Sequence, residues 1–223
     1  MSDLSEGARL KRWFATNGWD ILSPRLFYTL TIRNLSNWAP PEGLLQSIQR
    51  VSFGFDLIHG TENSDSVLEH VKAHSTPAIL TLYHLALQDP KVCGIVRAKS
   101  PVDGSLVGTV IICRQETALA SYMPVLRPGK NGESVGGIVA PVVPSSPQSG
   151  IVLQGLALLG IRQNKAHRAG TCVLNWVVGE GERDTLLGMG FDVLDAFEEL
   201  SCGVERVSIS FPLIWCDGDF VLT

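Results

Sequence analysis

Two kinds of apolar run alternate along the chain. Continuous runs rich in β-branched residues read as buried strands. Runs with apolar positions three and four apart read as helices packed on one side. Glu6 to Thr16 has helix-forming composition, with Leu10, Trp13 and Phe14 at helical spacing, and Asn17-Gly18 stops it because both residues tolerate positive φ. Trp19 to Leu22 and Leu26 to Ile32 read as strands around a Ser23-Pro24 break. Pro40-Pro41 opens a helix to Gln49 or beyond, with Leu44, Leu45, Ile48 and Val51 on its buried side. Asp56 to Asn63 reads as a loop. Ser64 or Asp65 caps a short helix to Ala73, and Ser75-Thr76-Pro77 ends it, because the residue before a proline leaves the helical region. Ile79 to Leu87 fits strand and helix equally.

Cys93 to Ala98 and Leu106 to Arg114 are apolar and β-rich, and Asp103-Gly104 between them signals a hairpin. Gln115 to Ser134 is a long connection with Pro124, Pro128 and Gly129, the kind of segment that lines a site. Gly136 to Val143 is a continuous apolar run, as in a central strand. Pro144 to Ser149 turns the chain into Gly150 to Gln163, a helix apolar on nearly every side and therefore deeply buried. Thr171 to Val178 follows as a strand, Glu180 to Met189 as a short helix stopped by Gly190, and Phe191 to Leu200 as a strand or strand pair. Val207 to Ile214 is a further apolar run. This order predicts an α/β protein: one mixed sheet with helices on both faces, parallel where a helix crosses between strands. Arg12 to Leu22 (RWFATNGWDIL) also echoes Thr185 to Leu194 (TLLGMGFDVL). The echo reads either as coincidence or as the tail of a preceding copy of the same fold.

At 223 residues the chain holds one full domain with extra material, and 45% hydrophobic with 18% charged residues excludes a disordered chain. A net charge of -4 leaves no basic excess for a phosphate backbone, so no nucleic-acid partner is expected. The five cysteines form no CxxC pair, and their odd number argues for a reducing, cytoplasmic compartment. The first 25 residues lack a signal-peptide core, and the apolar stretch Ile151 to Ile161 is too short to span a bilayer.

Gly136 to Val152 is the segment suited to chemistry. A buried strand feeds a buried helix whose first N–H groups lack internal partners, which favours a diphosphate there, and Gly150 lets backbone approach closely. No metal site is expected. His70 and His74 share one helix face at zinc spacing but have no third ligand, so they read as an exposed polar face. Cys172 reads as a buried structural thiol.

The element order resembles the Gcn5-related N-acetyltransferase (GNAT) family, whose fourth core strand, pyrophosphate loop and following helix hold acyl-CoA. The family's loop pattern is Arg/Gln-x-x-Gly-x-Gly/Ala after Val-x-Pro. Val142-Val143-Pro144 matches the lead-in, and Gly150 matches the first glycine if Pro147 fills the Arg/Gln place, with Val152 in the second small position. Moving Gln148 into that place loses the glycine spacing. Leu187-Gly188-Met189-Gly190-Phe191 resembles the last-helix signature, but Leu186 stands where the family often has its general-acid tyrosine and Gly179 replaces a familiar Asn. Whole segments, including LIHGTENSD, VLQGLALLGIRQNKAH and FEELSC, resemble the acetyltransferase portion of fungal proteins in which tandem domains of this type follow a family 3 glycoside hydrolase related to β-N-acetylglucosaminidases.

The resemblance implies the GNAT-like acyl-CoA N-acyltransferase fold over residues 26–202. Residues 1–25 would be the tail of a preceding repeat or an extension, and 203–223 a divergent tail. It implies acetyl-CoA as cosubstrate and a small amine as acceptor, with glucosamine as an example, and a tandem domain or homodimer as partner. Ala140, Val142, Pro144, Gln148, Ser149, Gly150 and Ile151 would hold acetyl-CoA, with a strand N–H near Val139 to Val142 as oxyanion donor. Glu133 is a base candidate, Asn175 a donor to pantetheine or acceptor, and Tyr122 a stand-in for the missing tyrosine. The worn loop and the missing tyrosine favour a rival reading, a catalytically degenerate binding module on the same fold, and the buried strand–helix pair is neutral between the two.

Overall fold

The computed structural model describes residues 13, 16, 19–21, 26–62, 64–127, 132–197, 200–202 and 207–209. Most of the helix expected over Glu6–Thr16 and the end of the run Val207 to Ile214 lie outside them. In chain order the elements are β1 (Trp19–Ile21), β2 (Phe27–Ile32), α1 (Leu44–Arg50), β3 (Gly54–Ile58), α2 (Asp65–His74), α3 (Pro77–Gln88), β4 (Cys93–Lys99), β5 (Leu106–Arg114), β6 (Val135–Val142), α4 (Ser149–Ala166), β7 (Thr171–Val178), α5 (Gly179–Leu187), β8 (Asp192–Phe197), β9 (Leu200–Cys202) and β10 (Val207–Ile209). Short 3-10 turns cover Leu35–Asn37, Ala118–Ser121 and Pro124–Leu126. The last two fall within the long connection after β5.

The main sheet has the order β3-β4-β5-β6-β7-β2-β8. Only β6 and β7 pair in parallel, and α4 is the crossover between them. The other neighbours are antiparallel, so the sheet is mixed, as the element order predicts. β1, β9 and β10 form a separate three-stranded antiparallel sheet.

Each face of the main sheet has its own core. One is covered by α1, α4 and α5 and buries Leu30, Ile138, Leu156, Leu174 and Leu186. The other is covered by α2, α3 and the turns after β5 and buries Tyr83, Ile95, Ile111, Val139 and Leu126. α4 buries nine of its residues, in agreement with its all-round apolar sequence. Gly160 lets the helix lie against β6: a Cβ there would come within 2.6 Å of Ile138 Cδ1. Each fully buried Leu or Ile on this helix contributes about 1.5–3 kcal/mol.

Two expectations change. Ile79 to Leu87, which fitted strand and helix alike, is helical. The Thr76 hydroxyl accepts from the Ile79 N–H at 3.4 Å, Pro77 occupies the first turn, and Ile79, Leu82, Tyr83, Ala86 and Leu87 form the buried stripe. Asp56 to Asn63 is not all loop, because Gly54–Ile58 is an edge strand paired with β4. Its anchor is Asp56, which accepts from Arg97 Nε at 2.9 Å and from Lys99 Nζ at 2.9 Å, with Arg97 Nη2 on its second oxygen.

Candidate functional site

The site begins where the parallel pair comes apart. β6 and β7 are in register from Val135–Thr171 to Val139–Asn175, and no pair follows. Beyond that point β6 stays with β5 as far as Thr109–Val142, while β7 stays with β2. A wedge therefore opens between Ala140–Val142 and Trp176–Val178. Its cause is local. β6 carries one extra residue against β5 between the Ile111–Val139 and Thr109–Val142 pairs, and Ala140 sits at φ 51°. Pro141 has no N–H to give to a ladder, which a bulge tolerates and a regular central strand does not. Across the wedge Trp176 has φ 65°, and β2 shifts register at Thr29.

Side chains hold this break in place. Tyr83, fully buried on α3, donates its hydroxyl proton to the Ala140 carbonyl at 3.0 Å. Its oxygen lies 2.8 Å from Thr109 Oγ1, and since the phenol has one proton, Thr109 is the donor of that second bond. Burial pushes the Tyr83 phenol far above its ordinary value, so it stays a hydrogen-bond donor. On the other bank, Asn175 Oδ1 accepts from Thr29 Oγ1 at 2.8 Å and from the Trp176 N–H at 2.8 Å. Both acceptor positions being filled, the amide orientation is fixed. Its Nδ2 has no protein acceptor among the described residues and is free to donate. Asp195, opposite Thr29 on β8, is half-buried and among the described residues accepts the Ala196 N–H alone. Burial pushes its carboxyl up, and that one hydrogen bond opposes the shift.

The strand then leads through Pro144 to the start of α4. Gln148 takes the N-cap position without a side-chain cap bond. The Ser149 N–H is used by Ser146 O and the Val152 N–H by Gln148 O. The N–H groups of Gly150 and Ile151 have no protein acceptor among the described residues. They lie at the positive end of an 18-residue helix. A Cβ on Gly150 would touch nothing nearer than Thr185, at 3.8 Å, so the space beside it is open. The parted edge of β6 and the start of α4 thus follow one another along the chain.

The residues expected to hold acyl-CoA therefore lie along one path: Ala140 and Val142 on the wedge, then Pro144, Gln148, Ser149, Gly150 and Ile151. Asn175 is on the facing bank. Glu133 is elsewhere. It precedes β6, at the opposite end of a strand that rises about 3.3 Å per residue, roughly 20 Å or more from the wedge. Tyr122 is 65% exposed in the turn after Ala118–Ser121; its N–H donates to Leu119 O at 2.9 Å, and its hydroxyl has no hydrogen bond among the described residues. Leu186, at the place of the expected phenol, is fully buried in the core. Cys172 is a structural thiol: burial pushes it up to about 12, and Asn164 Nδ2 lies 3.4 Å from its sulfur. His70 is not on an exposed polar face. It is 8% exposed, with Nε2 3.4 Å from the Val142 carbonyl.

Sequence reasoning missed Tyr83, Thr109 and Thr29, whose roles depend on partners far along the chain. Pro141, inside the most apolar central run, was the available signal for the bulge. Among the described residues no group of three His, Cys, Asp or Glu side chains is placed to hold a metal ion, and no helix is long and apolar enough to cross a membrane.

No protein-family model matches the sequence, and no curated protein matches it. Solved structures do. A fungal multi-domain GH3 β-N-acetylglucosaminidase with a Gcn5-related glucosamine N-acetyltransferase region matches 88% of this chain at a TM-score of 0.64 and 14% identity. A conserved protein of unknown function from Staphylococcus epidermidis matches 87% at 0.51 and 15% identity. This chain spans 23% of the length of the first and 66% of the second. A Gcn5-related N-acetyltransferase from Sphaerobacter thermophilus matches 94% of the chain at a TM-score of 0.48 and 17% identity, with this chain spanning 59% of its length. The mixed seven-stranded sheet, parted between its one parallel pair and flanked by helices on both faces, is the GNAT acyl-CoA N-acyltransferase fold.

Proposed function

We propose that this chain is an N-acetyltransferase that uses acetyl-CoA as cosubstrate and a small amine as acceptor. The observation that carries the reading is the parting of β6 from β7 after Val139–Asn175, continuous with the two unsatisfied N–H groups of Gly150 and Ile151. The helix end would take the diphosphate. Backbone N–H groups along the parted edge of β6 would hold the arm and polarise the thioester carbonyl, and Asn175 Nδ2 would donate to the arm or the acceptor. An amino sugar such as glucosamine is the acceptor we favour. It is supported by the amino-sugar acetyltransferase region of the fungal protein that shares this fold.

The second reading is a degenerate binding module. It is favoured by Leu186, which leaves no phenol to protonate the leaving thiolate from that helix. Calorimetry with acetyl-CoA and with CoA, followed by CoA release across an amine panel that includes glucosamine, separates the two. Binding of both with release for one amine supports the enzyme. Binding without release for any amine supports the module. Binding of neither removes both.

A further inference from the structure

His70 has no role in the fold that its chemistry explains. It lies on α2, the helix laid over β5, and is 8% exposed. Its Nε2 meets the Val142 carbonyl, two residues past the Ala140 bulge on the strand that lines the wedge, at 3.4 Å. A carbonyl only accepts, so the Nε2 proton faces it and the Nδ1 lone pair is left as the proton acceptor. His74, one turn on, is exposed and lies 4.9 Å away ring to ring. A buried imidazole oriented by a backbone carbonyl, with an imidazole leading from it to solvent, is the arrangement of a base with a path for its proton.

From this geometry we infer that His70 is the general base that deprotonates the acceptor amine, and that His74 passes the proton to solvent. The inference rests on the acetyltransferase reading above. As the amine nitrogen bonds to the thioester carbon, its proton goes to His70 Nδ1. The carbon–sulfur bond breaks with its electron pair on the CoA sulfur, and the thiolate takes a proton from water. The Val142 carbonyl then holds the imidazolium through Nε2. Burial lowers the His70 pKa, opposed by the Val142 hydrogen bond and aided by the His74 charge, so the ring is neutral near pH 7 and ready to accept. Among the described residues His74 is the titratable side chain whose charge reaches it, and the His70 hydrogen bond to the sheet is the one to the Val142 carbonyl.

The test compares wild type with His70→Gln, His70→Asn and His74→Ala. It measures acetyl-CoA affinity by calorimetry, fold by circular dichroism, and kcat from pH 5.5 to 9 with the best amine of the panel. The inference expects His70→Gln, whose amide can still donate to the Val142 carbonyl, to keep fold and affinity. It should lose about 100-fold or more in kcat, together with the acidic limb of the profile. His70→Asn decides the matter if the glutamine variant does not fold. His74→Ala should move the acidic limb to higher pH, since a neighbouring positive charge is removed. A folded His70 variant with wild-type kcat and an unchanged limb overturns the inference and leaves the acetyltransferase reading standing. A wild type that binds no acetyl-CoA, or that releases no CoA with any amine, overturns that reading and the inference with it.

Discussion

Replacing Tyr83 with phenylalanine removes one oxygen and leaves the ring, so no cavity forms and the loss is one of hydrogen bonds. The oxygen bridges two fully buried residues, accepting from Thr109 at 2.8 Å and donating to Ala140 O at 3.0 Å. Without it the carbonyl and the threonine hydroxyl are both unpaired away from water, at about 1–3 kcal/mol each. We expect a loss of about 2–4 kcal/mol, and a Tm lower by roughly 5–15 °C for a chain of this length. The same bond holds Ala140 in the left-handed region, at φ 51°, which costs a non-glycine residue about 1–2 kcal/mol. Freed from it, the bulge can relax and the wedge can narrow, so acetyl-CoA affinity should fall about tenfold, equivalent to ~1.4 kcal/mol. Urea unfolding followed by circular dichroism gives the first quantity and calorimetry the second. A Tyr83→Phe protein within about 0.5 kcal/mol of wild type, binding acetyl-CoA equally well, would refute the claim that this hydroxyl sustains the bulge.

The same substitution should act with opposite signs at two glycines of α4. Gly150→Ala meets only Thr185, at 3.8 Å, and should raise stability by about 0.5–1 kcal/mol, whereas Gly160→Ala drives a methyl into Ile138 and should lower it by about 1–3 kcal/mol; thermal unfolding of both reads this directly. Gly150→Trp should leave the fold intact and weaken CoA binding by calorimetry, because its side chain would occupy the open space beside the helix end. Asn175→Asp keeps the oxygen that accepts from Thr29 and Trp176 but removes the Nδ2 donor, so acetyl-CoA affinity or turnover should drop about tenfold in a folded protein; unchanged values would make Asn175 scaffolding only. The Arg97 hydrogen bond, helped by Lys99, holds the Asp56 carboxyl below its ordinary value of 3.8; burial opposes Arg97 and is a larger effect than the Lys99 hydrogen bond. A depressed carboxylate stabilises the fold above that pH and loses its contribution as pH falls through the folded value. Solvent access at this edge keeps it to about 0.5–1 kcal/mol, so Asp56→Asn should reduce Tm slightly at pH 7, and the difference from wild type should vanish near pH 2.

The elements that carry their own hydrophobic signal were legible. β6 and α4 are apolar throughout because they are buried throughout, and Asp103-Gly104 marked the β4–β5 turn directly. β3 was not legible, because an edge strand buries little. Its pairing is fixed by Asp56 with Arg97 and Lys99, more than 40 residues away. α3 was hidden by apolar residues outside its buried stripe; Thr76-Pro77 decided it, as a cap and a first-turn proline rather than only as the end of α2. At the site the path from Ala140 to Ile151 followed from a strand feeding a helix N-terminus. Its supports did not, because Tyr83 and Ala140 are 57 positions apart and Thr29 and Asn175 are 146 apart. Glu133 is close to the central strand in sequence, but closeness in sequence cannot tell one end of a strand from the other.

The most direct test of the central claim is a titration of ¹⁵N-labelled protein with acetyl-CoA, followed amide by amide. Saturable shifts are expected at Val139, Ala140 and Val142 on β6, at Trp176 and the Asn175 side-chain amide across the wedge, and at Gly150 and Ile151, with little change at Glu133 or Tyr122. Absence of binding, or shifts gathered at Glu133 and the far end of the sheet with Gly150 and Ile151 unmoved, would contradict the claim.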